Sequence, residues 1–384
     1  MKFAATDGHC IWSTGMEIVQ PTDWTYAHAL TVDEAGDVYV GGRFEGTTTV
    51  GGGMTSVGGD DAFVMKLAGT DGTVQWAHGY GGAGNDSLGW WGIDVRNGVL
   101  ALVGTFNTSA NFGGTTPVTS PHGGDAGIVA SYSAATGALQ WYRVYAGTGA
   151  ARMYPNYVII AHDGSWLVDD AFEGNLDLGS TVLIAKSVPF DVALLRLDGS
   201  NGAPLAVHQT SQGDGYHFQG NMREDPQGGL VVLTYVSNGA DLGQGPITIQ
   251  STNPVPALMH IDANLSTIQW TRVFDAPDAL FDDVLIGTGG RIYVGGSFTG
   301  NIPFGATQVT SAHANSDDGL LAALSSTADL QWIETRTSTM GTRDPAELAL
   351  GPNDRIYQGE NVITGVPHTV ESTSWAIVSG TQGP

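Results

Sequence analysis

Acidic residues stand just before a recurring apolar run, at Asp60, Asp61, Asp125, Asp191, Asp317 and Asp318. Gathered on one rim, such carboxylates would bind Ca²⁺, a hard cation that takes oxygen ligands. As a pair roughly 5–10 Å apart across a cleft they would carry general acid–base hydrolysis of a glycoside. The competing use is structural, because Asp is an ordinary turn residue and the series lapses at Val255 and Ser374. A second set is aromatic: Trp24, Tyr26, Trp90, Trp91, Tyr154, Tyr216, Phe218 and Phe281, with His217 beside Tyr216. These rings fall in or beside the segments that link one group of apolar runs to the next. There they would stack on a sugar or anchor a protein partner, or else plug a channel.

Several kinds of catalysis are set aside at once. The chain has no GxSxG elbow, HExxH pair, Walker loop or EF-hand loop. Its ten histidines are scattered singly. Cys10 is the sole cysteine, which excludes an internal disulfide and a cysteine zinc site; a buried apolar role is expected for it. A net charge of −24, from 38 acidic and 14 basic residues, repels phosphate backbones and anionic membranes, so nucleic acid is not an expected partner. Only Lys2, Lys66 and Lys186 are lysines. No apolar run reaches the length of a membrane span.

The elements that must position these residues repeat. Trp12, Trp76, Trp141, Trp270 and Trp332 sit in the contexts CIW, VQW, LQW, IQW and LQW, at gaps of 64, 65, 129 and 62 residues. The long gap holds two repeats, with Ala206 in the empty slot. A second marker recurs as VYVGGRF (38–44), LALVGTF (100–106), WLVDDAF (166–172) and IYVGGSF (292–298), and a third as DAFVMKL (61–67), AGIVASY (126–132), DVALLRL (191–197) and DGLLAAL (318–324). Short apolar runs at a period near 60 residues, broken by Gly, Asp and Asn turns, predict an all-β array of four-stranded units. The first full unit has strands near 27–32, 38–44, 62–67 and 74–79. No sustained three-and-four spacing predicts a helix.

A four-stranded blade leaves an apolar face uncovered, and radial stacking into a ring covers it. The fold expected is therefore a single closed β-propeller over 1–384. Its six four-stranded blades are 27–89, 90–153, 154–218, 219–281, 282–344 and 345–384 plus 1–26. The paired glycines Gly41–Gly42 and Gly295–Gly296 would allow close approach between neighbouring backbones. Residues 1–15 align with 64–79, and the chain stops after a third strand at 375–384. The N-terminal strand, residues 9–14, is therefore expected to close the last blade. Residues 1–3 then duplicate third-strand sequence, so they fray or the chain is an excerpt of a longer array. If the ring of Trp141 is buried between blades, Trp141→Ala costs about 3–5 kcal/mol.

The runs DAFVMKL, TDGTVQW, GGAGND and GDVYVGGRF resemble the bacterial SBBP-type β-propeller repeat, with its D-x-F-V-x-K-L strand, G-x-x-x-W strand, Gly-rich loop and G-N-V-Y-V-x-G strand. The resemblance spans nearly the whole chain and is poorest over 205–260. It implies an exported bacterial surface propeller with no general enzymatic activity and no catalytic set. SAATGALQW (133–141) also resembles the docking motif of quinoprotein propellers. Those enzymes have eight blades, a longer chain and vicinal cysteines, and this chain has one cysteine.

The expectation is a non-catalytic binding or scaffold propeller, secreted or at a cell surface, its leader removed. It would hold no cofactor beyond a Ca²⁺ ion on the acidic rim, and it would contact a protein or carbohydrate partner through one loop face. The alternatives are a carbohydrate-active hydrolase or lyase using Asp60, Asp125 and Asp317, or a structural subunit of a larger surface assembly.

Overall fold

The computed structural model describes residues 1–4, 9–121, 124–147, 152–186, 190–211, 221–312, 317–336, 343–344, 348–351, 354–362 and 374–378. The chain is nearly all β. Among the described residues there is no α-helix, only the short 3₁₀ turns Val50–Gly52 and Thr288–Gly290. It divides into two compact units, Met1–Gln209 and Thr210–Pro384.

Both units repeat one element, a set of antiparallel strands in chain order, numbered below as sheets 1 to 6; the second and third sets are joined by a parallel bridge between Trp91 and Tyr157. Sheet 1 is Trp24–Val32, Val38–Glu45, Asp61–Leu67 and Val74–Gly82. Sheet 2 is Ser87–Arg96, Val99–Asn107, Asp125–Ser133 and Leu139–Tyr145. Sheet 3 is Arg152–Ile160, Trp166–Glu173, Asp191–Leu197 and Pro204–Ser211. In the second unit, sheet 4 is Met222–Glu224, Leu230–Val236, Val255–Ile261 and Ile268–Val273. Sheet 5 is Ala279–Ile286, Ile292–Phe298, Asp318–Leu324 and Leu330–Arg336. Sheet 6 is described by Leu348–Gly351, Arg355–Val362 and Ser374–Val378.

Third strands are buried at every residue in sheets 1, 3 and 5, which is why they read as continuous apolar runs: both faces are covered. What covers them is the next sheet. Tyr39 and Val64 of sheet 1 share a core with Leu88, Leu102 and Ile128 of sheet 2. Val103 and Val129 of sheet 2 meet Val158, Phe172 and Leu195 of sheet 3. In the second unit Leu233 and Leu258 of sheet 4 pack on Phe281 and Leu320 of sheet 5, and Tyr293 and Leu321 of sheet 5 on Leu348 and Ile356 of sheet 6. A Cβ on Gly41 would lie 2.7 Å from the Leu88 side chain, and one on Gly295 would lie 2.9 Å from Leu348. The close approach these glycines permit is therefore to the next sheet's side chains. At their neighbours Gly42 and Gly296 a Cβ would instead meet the bulged first strand of their own sheet, 2.1 Å from the Tyr26 carbonyl oxygen and 2.0 Å from that of Leu280.

The recurring tryptophan joins one sheet to the turn of the next. The indole N–H of Trp76 donates to the Ala134 carbonyl (3.3 Å), that of Trp141 to Gly199 (3.2 Å) and that of Trp270 to Ser326 (3.1 Å). Trp141 is half-buried, not buried as expected, because its outer edge lies on the sheet's last strand.

In the N-terminal segment, expected to close the last blade, the pairing among the described residues is local: Cys10–Trp12 takes Lys2–Phe3 as its partner, pairing Lys2 with Trp12 and Phe3 with Cys10. That register copies Lys66 with Trp76 and Leu67 with Val74 in sheet 1. The hairpin thus repeats a third and fourth strand, and Trp12 completes the copy by donating to the Gly69 carbonyl at 3.2 Å and packing on Phe63 and Met65. The same irregularity at Ile11 turns Cys10 outward, so this thiol is exposed rather than buried. Among the described residues no sheet is closed by hydrogen bonds, and no helix is long and apolar enough to cross a membrane.

Candidate functional site

The acidic series separates into two positions one residue apart, and strand alternation gives each its own task. Asp61, Asp191 and Asp318 stand opposite Phe44, Phe172 and Phe298 and are buried. Each closes the loop that precedes it: Asp61 accepts the Val57 N–H, Asp191 that of Lys186 and Asp318 that of Ala312, at 2.9, 2.9 and 2.6 Å. They are loop-closing groups. Burial pushes the Asp61 carboxyl up to about 6, helped by the charge of Asp86 and opposed by the Val57 hydrogen bond.

Asp60, Asp125 and Asp317 occupy the preceding, outward position. The Thr299 hydroxyl donates to Asp317. Asp60 and Asp125 come together in an open cleft of about 530 Å³ in the first unit, lined by Arg43, Asp60, Asn85, Asp86, Ser87, Thr105, Asn107, Asp125 and Tyr154. Its walls are equivalent parts of adjacent sheets. Arg43 and Thr105 stand two residues before the ends of the second strands of sheets 1 and 2, Asp60 and Asp125 precede or open the third strands, Asn85 and Asp86 link the two sheets, and Ser87 opens sheet 2. Sheet 3 adds Tyr154 from its first strand.

Backbone hydrogen bonds hold this lining in place. Buried Asp86 accepts the Gly82 N–H (2.6 Å) and the Asn107 N–H (3.0 Å), while its own N–H donates to the Asp60 carbonyl (2.7 Å). Burial raises its carboxyl pKa against those bonds, and the charge of Asp125 adds to the rise. The Asn107 amide donates to Asp125 at 2.7 Å. Arg43 lies 3.3 Å from Asp60 and 5.4 Å above the Trp24 ring. Burial lifts the Asp60 carboxyl, and Arg43 opposes the lift.

Of the aromatic set, Tyr154 lines this cleft, and Trp24 and Tyr26 neighbour its Arg43. Tyr26 is the cross-strand partner of Arg43. It meets Trp90 edge to face with centroids 5.8 Å apart, and His28 lies 5.2 Å from Trp90. Tyr26 and Trp90 are 45% and 43% exposed. The Trp24 indole donates to Glu45 at 2.9 Å. Trp91 tilts on Tyr157 at 5.7 Å, and Tyr154, which lines the cleft, meets Phe190 edge-on at 5.6 Å. Phe281 is a core residue, packed against Phe274 and Phe304, because the bulge at Asp282 turns it inward. Tyr216, His217 and Phe218 lie outside the described residues.

The sequence alone did not single out Arg43, Asn85, Asp86, Ser87, Thr105 or Asn107. The signal available was positional, since Arg43 and Thr105 share one place in the repeat. Among the described residues no three His, Cys, Asp or Glu side chains are grouped so as to hold a metal ion.

No family model matches the chain and no curated protein matches it, so the SBBP-type repeat stays a resemblance of motifs. Among solved structures the chain is similar to the Dos1 propeller, at 8% identity and TM-score 0.45, covering 88% of this chain and 90% of that one. It is similar to Kuenenia stuttgartiensis hydrazine synthase, at 11% identity and TM-score 0.47, over 90% and 77% of the two chains. It is also similar to the quinohemoprotein alcohol dehydrogenase of Comamonas testosteroni, at 12% identity and TM-score 0.41, covering 87% of this chain and 55% of that one. Matches of this strength carry neither an activity nor a ligand across.

Proposed function

We propose that this chain is an exported, non-catalytic β-propeller that binds a protein or glycan partner through one loop face. The observation that carries the reading is the cleft itself: a concave site of about 530 Å³ lined by a guanidinium, amides, hydroxyls and carboxylates, whose Arg43 has the exposed Tyr26 of the Tyr26–Trp90 pair as its cross-strand partner. Small-ligand sites combine concavity with a few placed polar groups. The propeller assignment is supported by cores that lie between consecutive sheets and by indole bonds that run from one sheet to the next sheet's turn. Six is the blade count the repeat supports. The acidic, lysine-poor composition suits an extracellular setting.

A thermal-shift screen against a glycan panel and Ca²⁺ tests the reading, since a ligand that binds only the folded state raises the melting temperature by mass action. A hit abolished by Arg43→Ala and Asn85→Ala is expected. A hit that survives both variants moves the site elsewhere.

A hydrolytic reading is favoured by one observation, that Asp60 and Asp125 line the same cleft while burial raises the Asp60 carboxyl. Release of reducing sugar that Asp60→Asn and Asp125→Asn abolish, with binding retained, would replace the non-catalytic reading.

A further inference from the structure

We infer that the cleft of the first unit takes a neutral sugar residue of an oligosaccharide, its apolar face on the Tyr26–Trp90 pair and its hydroxyls turned toward Arg43, Asn85 and Asp125. This rests on the binding reading above and commits it to one ligand class.

Charge selects against anions. The lining carries three carboxylates, Asp60, Asp86 and Asp125, against the single guanidinium of Arg43, and Arg43 already faces Asp60 and covers Trp24. A uronate, sulfate or phosphate would enter a negative field and compete with Asp60 for the one cation. Charge does not call for a cation either. Both oxygens of Asp86 accept backbone N–H groups, Asp60 faces Arg43, and Asp125 accepts from Asn107. The polar groups are thus arranged for directional hydrogen bonding to hydroxyls rather than for neutralising an ion.

The aromatic side agrees. A carbonyl only accepts, so the 3.2 Å contact between His28 Nδ1 and the Trp90 carbonyl makes Nδ1 the donor; in the neutral ring this leaves Nε2 as an acceptor. Burial lowers the His28 pKa, against that hydrogen bond, and the Arg43 charge lowers it further. The Trp90 backbone is thereby tied to sheet 1, and the Tyr26–Trp90 pair is set before a ligand arrives, which reduces the ordering cost of binding. Rings exposed by nearly half, joined through the Tyr26–Arg43 cross-strand pair to a cleft of amides, hydroxyls and carboxylates, match a ligand with one apolar face and a polar edge. A cavity of about 530 Å³ lies within the ~300–1,000 Å³ of small-ligand sites.

The test is calorimetric titration of the full chain with neutral xylo-, manno-, cello- and malto-oligosaccharides, and with oligogalacturonate and heparin fragments. It is paired with photo-crosslinking from a probe at exposed Asn85 in extracts of the source cells. The expected result is binding of at least one neutral series, weakened about tenfold or more by Trp90→Ala and by Asp125→Asn, with anionic sugars at least about tenfold weaker. Tighter binding of the anionic fragments overturns the inference. So does the absence of any sugar binding together with a protein crosslinked at Asn85, and that outcome leaves the binding reading standing. No sugar binding and no crosslink overturns both.

Discussion

Removing the ring of Trp141 tests the stacking of sheets 2 and 3 in a way that can be sized. Three contributions are lost in Trp141→Ala. The indole bond to the Gly199 carbonyl at 3.2 Å is worth about 1 kcal/mol net. The pairing with Trp166, whose ring centroid lies 4.7 Å away, adds about 0.5–1.5 kcal/mol. Burying half of the ring adds about 1–1.5 kcal/mol. Together they come to about 3 kcal/mol, the lower edge of what a fully buried ring would cost. Trp141→Phe keeps the ring pairing and loses chiefly the hydrogen bond, so about 1 kcal/mol is expected. Equilibrium urea unfolding reads both, as a shifted midpoint with an unchanged slope. The reasoning is refuted if the Ala variant stays within about 0.5 kcal/mol of wild type, or if Phe costs as much as Ala.

Other predictions follow from the same packing. In Gly202→Ala the new Cβ meets a positive φ of 72° and lies 2.7 Å from the Trp141 ring; a loss of about 2 kcal/mol is expected in the same assay. Lys66 is buried with Asp37 at 3.0 Å and Asp33 at 3.3 Å, so Lys66→Met should cost about 2–3 kcal/mol, discounted because both acids are partly solvated. Arg196 holds the matching place in sheet 3, 2.7 Å from Asp163, so Lys66→Arg should recover most of that loss, and no recovery would reject the equivalence. Asp170 is pushed up to about 7 by burial, against the Tyr154 hydrogen bond. The folded state therefore holds a proton that the unfolded chain releases near pH 3.9. That stabilisation is complete below about pH 4 and is lost as pH rises through about 7, with an upper bound of about 4 kcal/mol. Melting curves of Asp170→Asn should gain on wild type between those pH values; a difference that does not change with pH sinks the assignment.

The sheets were legible because their apolar runs are short, covered on both faces and bounded by turn residues; Asp61–Leu67 and Asp318–Leu324 read directly. The period also located each tryptophan. Its hydrogen-bond partner was not legible, because the acceptor lies nearly one repeat away, as from Trp76 to Ala134, and only stacked sheets bring the two together. The Lys2–Phe3 partner of Cys10–Trp12 was not legible for a related reason: alignment placed the strand within a repeat and could not say which chain segment would pair with it. In the acidic series a single residue step decides between closing a loop, as at Asp61, and lining the cleft, as at Asp60. The same step, shifted by a bulge, buries Phe281 and leaves Trp90 exposed. The cleft draws on three sheets and a connector, so no linear spacing marks it.

The central claim is that ligand sits in the cleft beside Arg43. A crystal of the protein soaked with the tightest neutral oligosaccharide tests it most directly. The account predicts a sugar ring against Trp90, with hydroxyls within hydrogen-bonding distance of Arg43, Asn85 and Asp125. A sugar bound elsewhere on the chain while this cleft holds only water would contradict it.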